Sequence, residues 1–90
     1  MSPTDREQLR LSLLRYLAAN RTAYFMPIPL LRQYLSGEGL VVPEAEIQAE
    51  LLYLQDKGFV AQATKAISPE NVAYRITAAG RDLWAQTHGG

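Results

Sequence analysis

The segment of residues 58–83 constrains the fold of this chain more than any other feature of its sequence. Gly58 predicts the end of a helix, because glycine readily adopts the left-handed conformation in which helices terminate. Residues 59–64 and 72–77 then have the aromatic and β-branched composition that is typical of strands. We therefore expect a helix followed by a two-stranded ribbon, with residues 65–71 as the loop between the strands.

The second strand alternates in a way that assigns a face to each side chain. Tyr74 and Ile76, together with Val72, are expected to point into the core, whereas Ala73 and Arg75 point away from it. This pattern is typical of a strand with one buried and one exposed face.

A short last helix is predicted after the ribbon. The Thr77 hydroxyl can cap its N-terminus, and Leu83 and Trp84 supply its apolar side chains. Because so short a helix is marginal on its own, these two side chains must be covered, either by the first helix of the same chain or by a second copy in a two-fold interface.

The first helix is predicted to bury more than half of its circumference. Thr4 and Glu7 have the spacing of a capping box, so the helix is expected to begin near Asp5. Its apolar residues are Leu9, Leu11, Leu13, Leu14, Tyr16, Leu17 and Ala18. Gln8, Ser12, Arg15 and Ala19 form the expected solvent side.

Two more helices are predicted between the first helix and the ribbon. Pro29 suits the first turn of the second helix, where its missing N–H is not needed. Gly37 is expected to end that helix in a left-handed conformation. The third helix is expected over residues 43–57, and its core-facing side chains are Ile47, Leu51 and Leu54.

Length and composition limit the protein to one small domain, residues 1–90, with residues 1–4 and 87–90 expected to fray. The predicted elements place this domain in the α+β class, with mainly α structure. Hydrophobic residues make up 48% of the chain, which contains no cysteine. Nine Lys and Arg balance nine Asp and Glu, so no net charge attracts the protein to nucleic acid or to a membrane. No apolar run reaches the length of a membrane span. A soluble protein of the bacterial cytoplasm is expected.

The order helix, helix, turn, helix, hairpin, helix resembles the winged helix-turn-helix superfamily over almost the whole chain. That superfamily includes ArsR-like, MarR-like and PadR-like regulators, whose members commonly dimerise and place the third helix in the major groove of DNA. Residues 5–11 and 76–82 are further similar to small winged-helix proteins of Mu-like phages and prophages. This resemblance implies a phage-type transcriptional regulator.

The outer side of the third helix is the candidate DNA-contacting face. Gln48 can pair with an adenine edge, and the small or apolar side chains can touch thymine methyl groups. This face, which we call the outer face, consists of Ala45, Gln48, Ala49 and Leu52. It lies between Glu44 on one side and Glu46, Glu50 and Tyr53 on the other. Because carboxylates repel phosphates, a solvated acidic helix without DNA contact is the alternative interpretation.

Positive charge for phosphate contacts must come from other parts of the chain. Arg32 in the second helix, Lys65 at the tip of the ribbon and Arg75 on the second strand are the candidates. For each of them, a solubilising surface side chain is the alternative.

Arg10 is unusual because it interrupts the apolar side of the first helix. The favoured account is that its stem lies along the core while its guanidinium reaches the surface. The alternative is an ion pair with a carboxylate such as Glu50 or Asp56, or with one from a second copy of the chain.

No catalytic or metal-binding function is expected. His88 is the single histidine, and no serine is arranged with a base and an orienting acid. Glu46 and Glu50 lie one turn apart but lack further ligands for a cation. No cofactor is therefore predicted.

Two roles remain open at this point. The first is a DNA-binding regulator, expected to be a homodimer that associates through Leu11, Leu14, Leu83 and Trp84. The second is a protein-interaction module without DNA binding, such as a phage assembly or host-takeover factor, with Leu52 and Tyr53 as apolar anchors.

Overall fold

A computed structural model describes residues 3–20, 25–63 and 73–87, and these form four helices and a small sheet. The elements are α1 (Pro3–Ala19), β1 (Met26–Pro27), α2 (Ile28–Gly37), α3 (Glu44–Asp56), β2 (Val60–Gln62), β3 (Ala73–Ile76) and α4 (Ala78–Thr87). The predicted α+β class with mainly α structure is confirmed. Lys65, Val72 and residues 88–90 lie outside the described residues.

Helix α1 begins earlier than the capping-box pattern predicts. It starts at Pro3, so Thr4 lies within the first helical turn and is not the cap. Proline is favourable at this position, because its fixed φ is close to the helical value and its missing N–H would have no partner. Ser12 was predicted on the solvent side, but it is buried.

Helices α2 and α3 end in the same hydrogen-bond pattern. At the end of α2, Leu40 N–H donates to Leu35 O at 2.9 Å and Gly39 N–H donates to Ser36 O at 3.0 Å. This is a Schellman motif, and its left-handed residue is Gly39, with a φ of +90°. The prediction of Gly37 for this position was therefore wrong by two residues.

Gly58 has the role at the end of α3 that the sequence predicts. Its φ is +81°, and its N–H donates to Gln55 O at 2.9 Å. Phe59 N–H donates to Leu54 O at 2.9 Å and completes the second Schellman motif. The chain is thereby turned from α3 directly into β2.

The sheet has three strands among the described residues, in the order β1-β3-β2, and both pairings are antiparallel. In the ribbon, Val60 lies opposite Ile76 and Gln62 lies opposite Tyr74. Strand β1, which pairs Met26 with Tyr74, was not predicted. It has only two residues and one of them is a proline, so it carries no alternating pattern that sequence inspection could detect.

The core lies between the helices and one face of the sheet. Tyr74 is fully buried and Ile76 nearly so, whereas Arg75 between them is exposed, as the alternation predicts. The predicted inward residues of α3, Ile47, Leu51 and Leu54, are all fully buried. The helical partners of this face are Leu9, Leu13, Leu14, Leu17, Leu31 and Leu35.

Thr77 joins the last helix to the end of α3. Its hydroxyl oxygen accepts a hydrogen bond from the Gly80 N–H at 3.1 Å, so Thr77 is the N-cap that the sequence predicts. The same hydroxyl group donates its proton to Gly58 O at 2.6 Å. The Thr77 N–H also donates to Phe59 O at 3.0 Å. Thr77 therefore caps α4 with one hydrogen bond and joins it to the α3–β2 junction with two others.

Candidate nucleic-acid interface

The outer face of α3 is open to solvent along its length. Ala45, Gln48, Ala49 and Leu52 are all exposed, and Leu52 retains 46% of its accessible surface. These residues lie opposite the buried side of α3, as the helical periodicity predicts. The helix thus offers one uncharged strip with a single central amide side chain.

Glu50 differs from the sequence prediction. It was predicted as one of the exposed carboxylates beside the outer face, yet it is only 6% exposed. Its Oε1 accepts a hydrogen bond from Arg10 Nε of α1 at 2.6 Å. An ion pair in this position neutralises the carboxylate, so only Glu44 and Glu46 remain as exposed acids along this part of α3.

Arg10 is held from two sides. Besides the ion pair with Glu50, its guanidinium carbon lies 4.4 Å from the centroid of the Tyr53 ring, within cation–π range. One third of its side-chain surface, 33%, is still exposed. Of the two accounts offered by the sequence, the structure therefore confirms the ion pair, with Glu50 rather than Asp56 as the partner.

A groove between α1 and α3 brings arginines to one edge of the outer face. Arg6 and Arg10 of α1 line it together with Glu46, Ala49 and Tyr53 of α3. Ala49 belongs to the outer face, so the groove borders that face directly. Sequence reasoning missed Arg6, because it lies about forty residues before its neighbours on α3.

A second groove lies on the opposite edge of α3, towards α2. Arg32 lines it with Gln33 and Ser36 of the same helix and with Glu44 at the start of α3. Arg32 is exposed, and this groove places it beside the outer face. A residue that contacts phosphate is expected in such a position. The outer face lies between arginines of α1 on one side and an arginine of α2 on the other.

Among the described residues, Arg75 does not line either groove. Arg75 is exposed on β3, where its guanidinium carbon lies 5.6 Å from the centroid of the Phe25 ring. Lys65 lies outside the described residues. Both stay sequence-based predictions.

The predicted dimer contacts divide into two groups. Leu14 is only 1% exposed, because it packs in the core of its own chain. The prediction that Leu14 contacts a second copy was therefore wrong. Leu11 is half-buried, and Leu83 and Trp84 are half-buried against the core. Helix α4 packs on α1 within the same chain. An interface through Leu11, Leu83 and Trp84 stays a prediction.

Glu38, in the turn between α2 and α3, connects this turn to α1. Its carboxylate accepts hydrogen bonds from Ser12 Oγ at 2.7 Å, from Arg15 and from the Tyr16 hydroxyl. Burial opposes ionisation of Glu38, but the hydrogen bonds from Tyr16 and Ser12 and the charge of Arg15 outweigh it and lower the pKa of the carboxyl below its ordinary 4.5. The buried position of Ser12 is explained by this contact.

The Glu38 contacts predict a pH dependence of stability. Because the pKa of Glu38 is lower in the folded state, its contribution is complete above about pH 5 and is lost as the pH falls through the folded pKa. We expect Glu38→Gln to lower the free energy of unfolding by about 1 kcal/mol at pH 7. Urea titrations should show that this difference shrinks as the pH is lowered below about 5. A difference that stays constant over this range would exclude the charge of Glu38 as its cause.

Within residues 3–20, 25–63 and 73–87, no helix is long and apolar enough to cross a membrane. The same residues contain no group of three or more side chains that could hold a metal ion.

Solved structures of other proteins share this arrangement of helices and strands, although no protein-family model and no curated protein sequence matches the chain. The structure of a PadR-like transcription factor from Bacteroides fragilis superposes with a TM-score of 0.74 at 15% identity, covering 93% of this chain and 80% of that one. The chain has the winged helix-turn-helix fold. In this fold α2 and α3 are the helix-turn-helix pair, and β2 and β3 form the wing.

Two further structures have the same winged-helix fold. A Thermoplasma acidophilum protein assigned as a transcriptional regulator superposes with a TM-score of 0.73 at 20% identity. The match covers 90% of the present chain and 75% of the Thermoplasma chain. Bacillus subtilis PadR in complex with operator DNA gives 0.68 at 19% identity. This match covers 90% of the present chain and 47% of the PadR chain.

Proposed function

We propose that this protein is a DNA-binding transcriptional regulator that inserts the outer face of α3 into the major groove. The observation that carries the proposal is the exposed, uncharged outer face with arginines along both of its edges. An α-helix fits the major groove, and phosphates of the two strands then lie on either side of it. The similarity in fold to a PadR solved with operator DNA supports this assignment.

The proposal gives a role to each candidate residue. Gln48 is the base-contacting amide, and Ala45, Ala49 and Leu52 provide apolar contacts to thymine methyl groups. Arg32 contacts phosphate from the α2 side, and Lys65 and Arg75 contact it from the wing. We further propose that the protein acts in the cytoplasm of a bacterium, as a homodimer and as a phage-type regulator.

Binding to duplex DNA at different salt concentrations tests this function. Fluorescence anisotropy with mixed-sequence duplex should detect binding at about 50 mM salt and a marked loss at about 200 mM, since counterions compete for the phosphates. Arg32→Gln should weaken binding to every sequence alike and reduce the slope of log affinity against log salt by about 1. Absence of binding at low salt would exclude the proposed function.

Base recognition is tested separately with duplexes enriched by selection from a random pool. Gln48→Ala should lower affinity for the enriched duplex by about tenfold, which is the typical contribution of one bidentate base contact, and should leave binding to mixed sequence almost unchanged. Gln86→Ala is the matched control, because Gln86 is an exposed glutamine of α4. Equal effects of the two substitutions would contradict the role of Gln48.

A protein-interaction role is the second candidate, and the exposure of two large side chains on α3 supports it. Leu52 is 46% exposed and Tyr53 is 42% exposed. If the protein shows no affinity for DNA, and Leu52→Glu removes a partner captured from a bacterial extract, this role is favoured. If Leu52→Glu leaves all captured partners unchanged, it is excluded.

A further inference from the structure

The Arg10–Glu50 ion pair links α1 to α3, and its position also allows Arg10 to contact a ligand. Glu50 is almost completely buried, yet Arg10 keeps one third of its side-chain surface exposed. The pair therefore has one enclosed member and one member that reaches solvent. Glu50 fixes the arginine, and the arginine can contact a ligand.

The hydrogen bonding of Arg10 is consistent with this division. The bond to Glu50 engages Nε, and the terminal nitrogens Nη1 and Nη2 lie outside it. Tyr53 packs against the guanidinium, with 4.4 Å between the ring centroid and the guanidinium carbon. An arginine restrained by a carboxylate and by an aromatic ring loses little conformational entropy when it binds an anion.

The neighbours of Arg10 indicate which anion fits. The same groove contains Arg6, and its α3 wall consists of Glu46, Ala49 of the outer face, Glu50 and Tyr53. A helix of about 10 Å diameter in a major groove of about 12 Å width brings both of its edges close to the phosphates. Arg32 already occupies the α2 edge of the outer face. The α1 edge has its own pair of arginines.

We propose that Arg10, fixed by Glu50 and Tyr53, and Arg6 beside it form a phosphate-contact site through which α1 binds the DNA backbone along the edge of α3. This proposal rests on the proposed DNA-binding function and extends it to a helix outside the helix-turn-helix pair and the wing. Glu50 and Tyr53 are positioning residues, whereas Arg6 and Arg10 contact the phosphates.

The double variant Arg10→Gln with Glu50→Gln tests this site. It removes both charges of the pair, so the net charge is unchanged and no buried carboxylate is left without a partner. Loss of one phosphate contact should reduce the slope of log affinity against log salt by about 0.9 and weaken binding at low salt by about tenfold. Arg6→Gln should reduce the slope by a similar amount.

The matched control is the double variant Arg15→Gln with Glu38→Gln. It removes another ion pair between α1 and a later element, with the same change in composition. Arg15 follows Arg10 by five residues, which places it about 140° away around the helix. The salt slope of this control should equal that of the wild type. Circular dichroism at the assay temperature confirms that every variant is folded.

The outcomes separate this proposal from the one on which it rests. Wild-type protein that fails to bind duplex at about 50 mM salt overturns both. Wild-type protein that binds, combined with an unchanged slope for the Arg10/Glu50 double variant, overturns only the α1 site and leaves the pair as a structural link between two helices. A reduced slope for that variant, together with an unchanged slope for the control, supports the α1 site.

Discussion

Replacing Gly80 with alanine should lower the free energy of unfolding by about 3 kcal/mol, at the upper end of the usual cost of overpacking. A Cβ atom at this position would overlap the Phe59 carbonyl oxygen and would lie 2.7 Å from Ile76 Cγ1. The carbonyl cannot easily move aside, because it accepts the Thr77 N–H at 3.0 Å. Relief of the clash requires α4 to move away from the α3–β2 junction.

The sign of the change in unfolding free energy distinguishes a steric clash, which destabilises the fold, from the higher helix propensity of alanine, which stabilises it. Within a helix, a change from glycine to alanine alone stabilises by up to about 1 kcal/mol. Gly37→Ala is the control, because Gly37 is the last residue of α2, lacks a positive φ, and an added methyl group there would meet no atom within 4 Å. Thermal unfolding should place Gly80→Ala roughly 15 °C below the wild type and Gly37→Ala at or above it. Equal melting temperatures for both variants would contradict the close approach.

The single substitution Arg10→Gln should lower the free energy of unfolding by about 2 kcal/mol. It leaves Glu50 as a charged group without its partner in a site where only 8% of its side-chain surface is exposed. Loss of one member of a fully buried pair costs more, but the exposure of Arg10 indicates that water can approach this site and reduce the cost. Urea denaturation gives the value directly.

The reverse single substitution has a smaller expected effect. Glu50→Gln leaves Arg10 unpaired, but Arg10 is 33% exposed and still packs on Tyr53, so a cost of about 1 kcal/mol is expected. The double variant should be closer to wild type than Arg10→Gln alone, because it contains no uncompensated charge. Additive effects of the two single substitutions would show that the side chains do not interact.

Sequence patterns predicted the elements that depend on local signals. The end of α3 at Gly58 and the cap of α4 at Thr77 each depend on a few adjacent residues. The burial of Ile47 and Leu51 follows from helical periodicity alone. These features required no knowledge of the other elements.

The features that sequence reasoning missed depend on contacts between distant segments. On a helical wheel Glu50 belongs to the polar edge of α3, so its burial was missed, although an ion pair with Arg10 was one of the two accounts that the sequence offered. The sequence around Glu38 indicates only a turn. The hydrogen bonds that its carboxylate accepts from Ser12 and Tyr16 depend on the packing of α1 against this turn. For the same reason the positive charge on the α1 side of α3 was missed, whereas Arg32 on the α2 side was predicted.

Binding of duplex DNA by the arginine-edged outer face of α3 is the central claim. The most direct test is the dependence of wild-type affinity on salt concentration, measured with an enriched duplex. Phosphate contacts from Arg32, Lys65 and Arg75 predict a slope of log affinity against log salt of about −2.7, and contacts from Arg6 and Arg10 make it steeper. Binding that does not change with salt, or no binding at about 50 mM salt, would contradict the claim.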